Sequence, residues 1–445
     1  MMSAVEIHLS AARLCESELL AGCHIDWPAV GEKSDCFAIR VMGWALGMDE
    51  PVIAVEIMDG ENLLQRTSMN LSRSDVAAKR PDQPWAAQCG FNTVAGLLWA
   101  PLDFTLSVQA IFADGRREEI GTITGRRQPA RGSHAPKLQP LMITTLGRTG
   151  STWVTWLFAQ HPQITAYRPF LFEPRVLSYW TELLRRTAAP ASALQSVFAT
   201  DLLRRTWWLN QEQGAEHSFA LLDPEITECL SRANVDALCD LCLSRIDDFY
   251  LRTARLHGKS APAFFAEKLM PTASRDLTWE LYPGAREIVL VRDFRDVAAS
   301  IFAFNAKRNF KGFGRDRFAT DEEYITGCLL PDAHDLLGAW RNRRKHTCLV
   351  RYEDIILKPR ETLAATLADI GMDASDATIA AMIEHAANLV PEAEHHRTSA
   401  DPARSIGRWR TDLSPALRET CTRVFADVLH EFGYDRDPAG DGAFA

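Results

Sequence analysis

The sequence predicts an α/β domain, in which a parallel sheet carries helices on its faces, preceded by an all-β sandwich domain. Strand-like runs such as LMITTL, EIVLVR and TCLVRYED alternate with helical segments such as LKPRETLAATLADIG, and this alternation is typical of parallel sheets. Residues 36–124 instead contain short apolar runs, among them VIAVEIMDG and FTLSVQAIFADG, separated by Gly, Asp and Pro. That pattern indicates antiparallel strands.

Domain boundaries follow from these patterns. A chain of 445 residues exceeds what one hydrophobic core usually supports. We expect an accessory β-sandwich domain at residues 1–130, a linker at 131–140 and the α/β domain at 141–435. The linker segment is rich in Pro, Gly and Arg and lacks hydrophobic periodicity. Residues at about 175–260 have a helical, aromatic-rich pattern, which predicts an inserted helical cap.

The charge balance and the apolar runs exclude several classes of partner. A formal net charge of -9 argues against a general attraction to nucleic acid or anionic membranes. Apolar runs are interrupted well before the ~20 residues that a membrane span requires. Charged residues also interrupt the amino-terminal segment, unlike the apolar core of a secretory signal. We therefore expect a cytoplasmic protein without a membrane span or nucleic-acid partner. Assembly into a homo-oligomer is an alternative that the sequence leaves open.

Ten cysteines are spread over the chain, which favours reduced thiols over a disulfide scaffold in a protein that is not secreted. The close pair Cys239 and Cys242 lies in a helical pattern, and the sequence contains no second pair to complete a zinc site. We expect both thiols to be buried in the core, and we predict no metal.

The stretch LMITTLGRTGSTWVTWLF connects a predicted strand to a predicted helix through a glycine-containing turn. A helix start presents unpaired backbone N–H groups and the positive end of the helix dipole. Hydroxyls and one permanent cation add to these donors in the turn, which predicts a site for a phosphate-like anion. Its residues are Gly147, Arg148, Thr149, Gly150, Ser151 and Thr152. Packing alone can also require glycine in such a connection.

The turn does not fit a nucleotide kinase or an ATPase. Those enzymes carry G-x-x-x-x-G-K-[ST], in which lysine reaches the outer phosphates and the hydroxyl holds magnesium. Here the glycines are three residues apart, and no lysine follows the second one. ATP-dependent phosphotransfer is therefore a weaker hypothesis.

Two motifs resemble those of sulfotransferases that use 3′-phosphoadenylyl sulfate (PAPS). GRTGSTW followed by HP resembles their 5′-phosphosulfate loop, and IVLVRDFRDVAASIFAFN at 288–305 resembles their 3′-phosphate segment. The resemblance covers about residues 138–435 and implies the P-loop-like sulfotransferase fold. It also implies PAPS as co-substrate, adenosine 3′,5′-bisphosphate as product, and Arg292 and Ser300 as ligands of the 3′-phosphate.

Further segments lie in the order that the resemblance implies. Tyr352 in CLVRYEDIILKPRETL would lie near the adenine, and Trp153 would stack on it, although Trp153 also fits a core position beside Trp156. SIGRWRTDLS resembles the late loop that closes over the 3′-phosphate. The family's Arg-Lys-Gly is replaced by Arg-Ser-Ile in this chain, so the contacting arginine stays open. The candidates are Arg404, Arg408 and Arg410.

The resemblance also implies catalytic roles. Charge grows on the leaving phosphate during in-line sulfuryl transfer, and Arg148 with the Ser151 and Thr152 hydroxyls would stabilise it. Glu173, in a glutamate–proline pattern found in glycan-modifying relatives, would be the general base, although a salt-bridged carboxylate is the simpler alternative. Lys268 is a candidate catalytic cation. The cytosolic branch of the family has a histidine two residues after its catalytic lysine, and this chain has Met270 at that position.

Residues 36–124 resemble a β-sandwich module that is attached to bacterial glycan-modifying enzymes, through GWALG and VQAIFADG. Together with the glutamate base, this resemblance favours a hydroxyl of a carbohydrate-containing acceptor as the substrate. Two alternatives stay open: a lipid or small-molecule hydroxyl as the acceptor, and a non-catalytic protein that binds carbohydrate or nucleotide.

Overall fold

The computed structural model describes residues 3–12, 17–34, 37–167, 175–188, 232–271, 276–343, 347–387 and 402–434. The described residues form two compact units. The first comprises those within Met1–Ala135, Tyr179–Ser244 and Asp276–Leu281, and the second those within Pro136–Ser178, Arg245–Arg275 and Tyr282–Ala445. The first unit thus includes segments that follow residue 140. The predicted boundaries at residues 130 and 140 stay a prediction.

Antiparallel strands dominate the first unit, as the sequence predicts. They form a six-stranded sheet in the order β3-β1-β9-β8-β5-β6 and a three-stranded sheet in the order β2-β4-β7. Alternate residues of β8, from Phe104 to Ala110, are buried, because side chains along a strand point to opposite faces. The strands are β1 (Val5–Ala12), β2 (Leu20–Trp27), β3 (Lys33–Ser34), β4 (Ala38–Gly47), β5 (Ala54–Asp59), β6 (Asn62–Ser68), β7 (Gly90–Gly96), β8 (Asp103–Ile111) and β9 (Arg117–Arg127).

The second unit contains the predicted parallel sheet with flanking helices. Its five strands lie in the order β11-β12-β10-β13-β14, and every pair is parallel. Ile288 and Leu290 belong to one hydrophobic core, whereas Val289 and Val291 belong to another. Both faces of the sheet are therefore covered. The strands are β10 (Gln139–Thr144), β11 (Ile164–Thr165), β12 (Phe264–Leu269), β13 (Arg286–Val291) and β14 (Thr347–Arg351).

Fourteen α-helices are resolved within the described residues. In chain order they are α1 (Ser74–Lys79), α2 (Ser151–Phe158), α3 (Val176–Ala188), α4 (Arg232–Leu256), α5 (Asp276–Leu281), α6 (Phe294–Arg308), α7 (Asp321–Tyr324), α8 (Leu330–Arg343), α9 (Tyr352–Leu357), α10 (Pro359–Asp369), α11 (Asp376–Ala387), α12 (Trp409–Asp412), α13 (Pro415–Val424) and α14 (Ala426–Glu431). A stretch apolar enough to span a membrane is absent from every helix in these ranges.

The predicted cap at about 175–260 is described only in part. Its described portion contains α3 and α4, and residues 189–231 lie outside the described ranges. Cys239 and Cys242 lie on α4 and are buried, as predicted. Burial raises the pKa of Cys239 to about 12 and that of Cys242 to about 11, so both are inert thiols at neutral pH.

A buried ion pair joins α5 to β9 within the first unit. Arg127 Nη1 and Nη2 donate to the two carboxylate oxygens of Glu280 at 2.9 and 2.5 Å. Arg127 Nε donates to the carbonyl oxygen of Ala100 at 2.8 Å, and the Ala130 amide donates to Glu280 at 2.8 Å. Both charged groups are thus buried and fully hydrogen-bonded. Their pairing attaches α5 to the end of β9, 150 residues earlier in the sequence.

We predict that Glu280→Gln lowers the free energy of unfolding of the first unit by about 3 kcal/mol, because it leaves Arg127 as a buried and unpaired cation. Urea unfolding followed by fluorescence measures this change. Glu61→Gln removes an exposed carboxylate of the same unit and serves as the control. Equal unfolding midpoints for the two variants would contradict the prediction.

Candidate anion-binding site

The predicted turn lies between β10 and α2, at the carboxyl end of the central strand of the parallel sheet. Two of its residues adopt left-handed backbone conformations, Arg148 with φ 68° and Gly150 with φ 82°. A non-glycine residue rarely has positive φ, and such conformations concentrate at functional sites. The chain therefore reverses sharply before α2 begins.

Both glycines of the turn are needed for close packing. A Cβ atom added at Gly150 would lie 2.3 Å from the ring of Tyr352, and one added at Gly147 would lie 2.9 Å from the ring of Phe313. Side chains are therefore excluded at these two positions by neighbouring rings. Phe313 itself has φ 60°, a left-handed conformation that is rare for a residue other than glycine.

The hydroxyl of Thr149 is used inside the turn. Thr149 is buried, and its Oγ1 lies 2.6 Å from Thr145 Oγ1 and donates to the carbonyl oxygen of Leu146 at 3.0 Å. Thr145 Oγ1 in turn donates to the Leu290 carbonyl oxygen at 2.8 Å. Thr149 thus holds the turn to the sheet, and its hydroxyl is bonded within the protein.

The start of α2 offers unpaired donors. The backbone amides of Gly150, Ser151 and Thr152 have no hydrogen-bond acceptor within the described ranges. The helix dipole adds positive potential at the same place. Lys268, at the carboxyl end of β12, donates from Nζ to Thr152 Oγ1 at 3.3 Å and is itself buried. A fixed ammonium group therefore lies beside the helix start.

Glu267 lies on β12, the strand that also carries Lys268, and its carboxylate holds the start of α3. Its carboxylate accepts hydrogen bonds from the amides of Leu177 at 2.9 Å and Ser178 at 3.4 Å, and from the Tyr250 hydroxyl at 2.6 Å. Burial raises the pKa of Glu267. The expected base Glu173 precedes this helix and lies outside the described residues.

Arg292 follows β13 and connects the turn to the late loop. Its Nη1 donates to the carbonyl oxygen of Arg148 at 3.2 Å, and its Nη2 donates to that of Ser405 at 2.5 Å. The guanidinium lies 4.7 Å over the ring of Tyr352, whose hydroxyl is 3.2 Å from Ser405 Oγ. The buried Nε of Arg292 has no partner among the described residues. One donor of this cation is therefore unsatisfied among the described residues.

The Arg148 side chain lies beside the second motif, at residues 288–305. Its Nε donates to Ser300 Oγ at 3.3 Å, and its guanidinium lies 4.5 Å over the ring of Phe304. The resemblance assigned Arg148 and Ser300 to opposite ends of a nucleotide, but the two side chains are in contact. The reason is the packing of α6 beside the turn, which local sequence does not reveal.

Four arginines create a strongly positive region. Burial, followed by the charges of Arg292, Arg408 and Arg308, lowers the pKa of Arg148 to about 10. The guanidinium stays protonated at neutral pH. Such crowding of like charges is unfavourable in the free protein, and a bound anion would relieve it.

The three late-loop arginines differ in position. Arg408 is largely buried, pairs with Asp412 at 2.6 Å and acts on the pKa of Arg148. Arg404 and Arg410 are exposed, and Arg410 lies 4.6 Å over the ring of Trp409. The structure therefore brings Arg408 to the other cations.

Asp296 anchors the late loop to α6. Its carboxylate accepts hydrogen bonds from the amides of Gly407 at 2.7 Å and Trp409 at 2.9 Å. Gly407 has φ 73°, so this anchor stabilises a turn that favours glycine. Burial raises the pKa of Asp296 from 3.8 to about 7, against the opposing charge of Arg292.

Four residues of the site were missed from sequence. Asp296 belongs to the RDFRDV part of the segment at 288–305 and could have been singled out from that motif. Ser405 contributes a backbone carbonyl, and Phe304 and Arg308 lie one and two turns beyond Ser300 on α6. Helical spacing from Ser300 could have suggested Phe304, whereas the other two carry no local signal.

Trp153 directly follows the turn and is partly buried. Its side chain packs against the hydrophobic core that contains Trp156, which agrees with the alternative that the sequence analysis left open. Groups of three or more metal-ligating His, Cys, Asp or Glu side chains do not occur within the part of the chain that the structure describes.

We predict that the stability of the protein relative to an Asp296→Asn variant falls as pH rises. Between the unfolded pKa near 3.8 and the folded pKa of about 7, the folded state binds more protons than the unfolded state. Relative to the variant, the wild type should lose about 3 kcal/mol of unfolding free energy from about pH 5 to 8. Urea unfolding at both pH values tests this, and an unchanged difference would show that the two amide bonds keep Asp296 ionised.

Comparisons with known proteins agree on one family. The model described as "Sulfotransferase family" matches residues 140–376, more than half of the chain. Nodulation protein NoeE of Sinorhizobium fredii (strain NBRC 101917 / NGR234) is 27% identical over 326 residues, which are 67% of this chain and 67% of that protein.

Two solved structures illustrate the structural similarity. The sulfotransferase domain from the Synechococcus PCC 7002 olefin synthase is 18% identical, with a TM-score of 0.37, and covers 69% of this chain and 99% of its own. Mouse sulfotransferase SULT7A1 complexed with PAP is 11% identical, with a TM-score of 0.35, and covers 66% of this chain and 85% of its own. From the match over residues 140–376, which include the turn, Lys268, Arg292 and Ser300, the chain belongs to the sulfotransferase family.

Proposed function

We propose that this sulfotransferase transfers a sulfuryl group from PAPS to a hydroxyl of a carbohydrate-containing acceptor and releases adenosine 3′,5′-bisphosphate. The observation that carries the choice of donor is the presence of two neighbouring cationic groups. Lys268 and the first amides of α2 form one of them, and Arg292 with Arg408 forms the other. A nucleotide with two phosphate-bearing ends requires two such sites.

The donor groups at the start of α2 suit the leaving phosphate. In sulfuryl transfer the acceptor oxygen forms a bond to sulfur while the bond between sulfur and the bridging phosphate oxygen breaks. Negative charge grows on that phosphate, and preorganised donors beside it lower the barrier. We assign this role to Lys268, to the hydroxyls of Ser151 and Thr152 and to the amides of Gly150, Ser151 and Thr152.

The other nucleotide contacts follow from their neighbours. Arg292 and Ser300 are proposed at the 3′-phosphate, and Arg408 is the preferred late-loop contact because it is the largely buried member of its group. Trp153 is the candidate to stack on adenine. Tyr352 acts near the adenine. Its ring contacts both Arg292 and the turn and so supports them.

The acceptor hydroxyl must lose a proton, and Glu173 is the proposed general base. Glu267 supports this assignment, because it fixes the first amides of α3, directly after the segment that carries Glu173. The choice of a carbohydrate acceptor depends on the glutamate–proline pattern and on the resemblance of residues 36–124 to modules of glycan-modifying enzymes.

A transfer assay with sulfur-labelled PAPS tests the function. The purified full-length chain is incubated with a panel of oligosaccharides, lipid-linked sugars and small phenols, and labelled products are separated from the donor. We expect labelled carbohydrate. Labelled phenol or lipid alone would overturn the acceptor class, and binding of adenosine 3′,5′-bisphosphate without transfer to any acceptor would favour a non-catalytic protein.

We predict that Glu173→Gln lowers the transfer rate by roughly 100-fold to 10,000-fold, the range typical of a lost general base, while affinity for adenosine 3′,5′-bisphosphate changes little. Transfer rates and calorimetric affinities measure the two effects separately. Glu182→Gln is the control, because Glu182 pairs with Arg185 on the neighbouring helix. Turnover that survives Glu173→Gln would place the base elsewhere.

A further inference from the structure

We propose that Glu267 and Tyr250 are positioning residues for sulfuryl transfer, which together with Phe249 fix the chain on both sides of the segment that carries Glu173. This inference rests on the proposed function and deepens it, because it names residues that act on the acceptor half of the reaction and not on nucleotide binding. Glu267, Tyr250 and the residues described as their contacts all lie in the second unit.

The carboxylate of Glu267 holds the chain on the carboxyl side of Glu173. It is buried on β12 and accepts hydrogen bonds from the amides of Leu177 and Ser178, at 2.9 and 3.4 Å. These are the second and third residues of α3. A helix start has unpaired amides and the positive end of the helix dipole. A carboxylate from β12, 90 residues away in sequence, therefore stabilises the first turn of α3.

The residue that joins this helix to Glu173 and Pro174 has an unusual backbone. Arg175 has φ 44°, in the left-handed region that residues other than glycine rarely adopt. Such a conformation costs free energy and persists only where the surrounding structure enforces it. The amides that Glu267 binds follow two and three residues later, so Glu267 anchors the chain directly after this conformation.

Tyr250 orients the Glu267 carboxylate. Its hydroxyl donates to Glu267 Oε2 at 2.6 Å, and the same oxygen accepts from the amide of Leu177. The Tyr250 ring is buried and stacks on Phe265 of β12, with 4.1 Å between centroids and 12° between planes. Burial raises the pKa of Glu267, and the hydroxyl and the two amides oppose that shift. The hydroxyl thus fixes one carboxylate oxygen toward α3.

Phe249, the neighbour of Tyr250 on α4, contacts the chain on the amino side of Glu173. The centroids of the Phe249 and Tyr167 rings are 5.4 Å apart, and Tyr167 is the second residue after β11. Phe249 and Tyr250 pack edge-to-face, with 5.0 Å between centroids. Two adjacent residues of α4 thus hold both described ends of the segment, Tyr167 directly and α3 through Glu267.

Glu267 and the donors for the nucleotide lie on opposite faces of the sheet. Glu267 precedes Lys268 on β12, and successive side chains of a strand point to opposite faces. Lys268 reaches Thr152 at the start of α2, whereas Glu267 reaches the start of α3. A change at Glu267 should therefore alter transfer more than it alters nucleotide affinity.

The test compares the transfer rate with the nucleotide affinity of the full-length protein. Labelled PAPS is the donor, the same panel of oligosaccharides supplies the acceptor, and calorimetry with adenosine 3′,5′-bisphosphate gives the affinity. For Glu267→Gln we expect kcat to fall about 10-fold to 100-fold, the size of a lost hydrogen bond to a charged group. The KM for PAPS and the affinity for the bisphosphate should change less than about 3-fold.

Two further variants keep the test decisive. Tyr250→Phe keeps the ring that stacks on Phe265 and removes only the hydroxyl. It should lower kcat about 3-fold to 30-fold without a change in bisphosphate affinity, and it applies if Glu267→Gln fails to fold. Glu280→Gln is the control, because it removes a buried and hydrogen-bonded carboxylate of the first unit. Its kcat should equal that of the wild type, whereas a rate lost through lower stability alone would fall there too.

A double-mutant cycle separates positioning from a general structural effect. If Glu267 acts through the segment of Glu173, Glu267→Gln should lower the rate of the Glu173→Gln variant by less than about 3-fold, because residues that act as a unit have non-additive effects. Equal losses of kcat in the two backgrounds would overturn the inference. So would a wild-type kcat for Glu267→Gln, or a loss of bisphosphate affinity as large as the loss of kcat.

The outcomes distinguish this inference from the proposed function. If the wild type transfers label to an oligosaccharide but Glu267→Gln gives any of those three results, the inference is overturned while the function stands. If the wild type transfers label to no acceptor, the proposed function is overturned and the inference with it.

Discussion

Parallel pairing within one sheet is the constraint on which the anion site depends. β10 pairs in parallel with both β12 and β13, so three segments far apart in sequence leave the sheet at the same edge. They deliver the turn at residues 147–152, Lys268 and Arg292. The alternation of β13 between two cores holds this edge in place. Apolar packing therefore positions the donors together with the hydrogen bonds from Arg292 to Arg148 and from Lys268 to Thr152.

Arg292 and Arg148, two of the cations at this edge, are supported by uncharged groups. Arg292 donates to two backbone carbonyls and lies over Tyr352, and Arg148 donates to a hydroxyl and lies over Phe304. Carbonyls, hydroxyls and aromatic faces stabilise a guanidinium but leave its net charge. The group therefore keeps its attraction for an anionic ligand, and the buried carboxylate of Asp296 stabilises the loop that contributes Arg408.

Much of the fold could be predicted from sequence because its signals are local. The alternation of strand and helix patterns indicated the parallel sheet, and the glycine turn before STWVTWLF indicated where α2 begins. Glu280 shows the limit. Nothing in the short helix that carries it indicates a partner at Arg127, because the pair depends on packing between distant segments. Arg308 likewise is an ordinary surface cation in sequence, and in the structure it lies over Phe304 and its charge acts on Arg148.

By itself the sequence indicated the chemistry of the candidate anion site: glycine before a helix, hydroxyls in the first turn and basic residues after the strands, since backbone preferences act over a few residues. Only the tertiary structure decided how those groups are combined. It placed Arg148 beside Ser300 and Phe304, and Lys268 beside Thr152. It also brought the charge of Arg408 to Arg148. These contacts join residues more than 100 positions apart, so sheet order and helix packing, rather than local pattern, determine them.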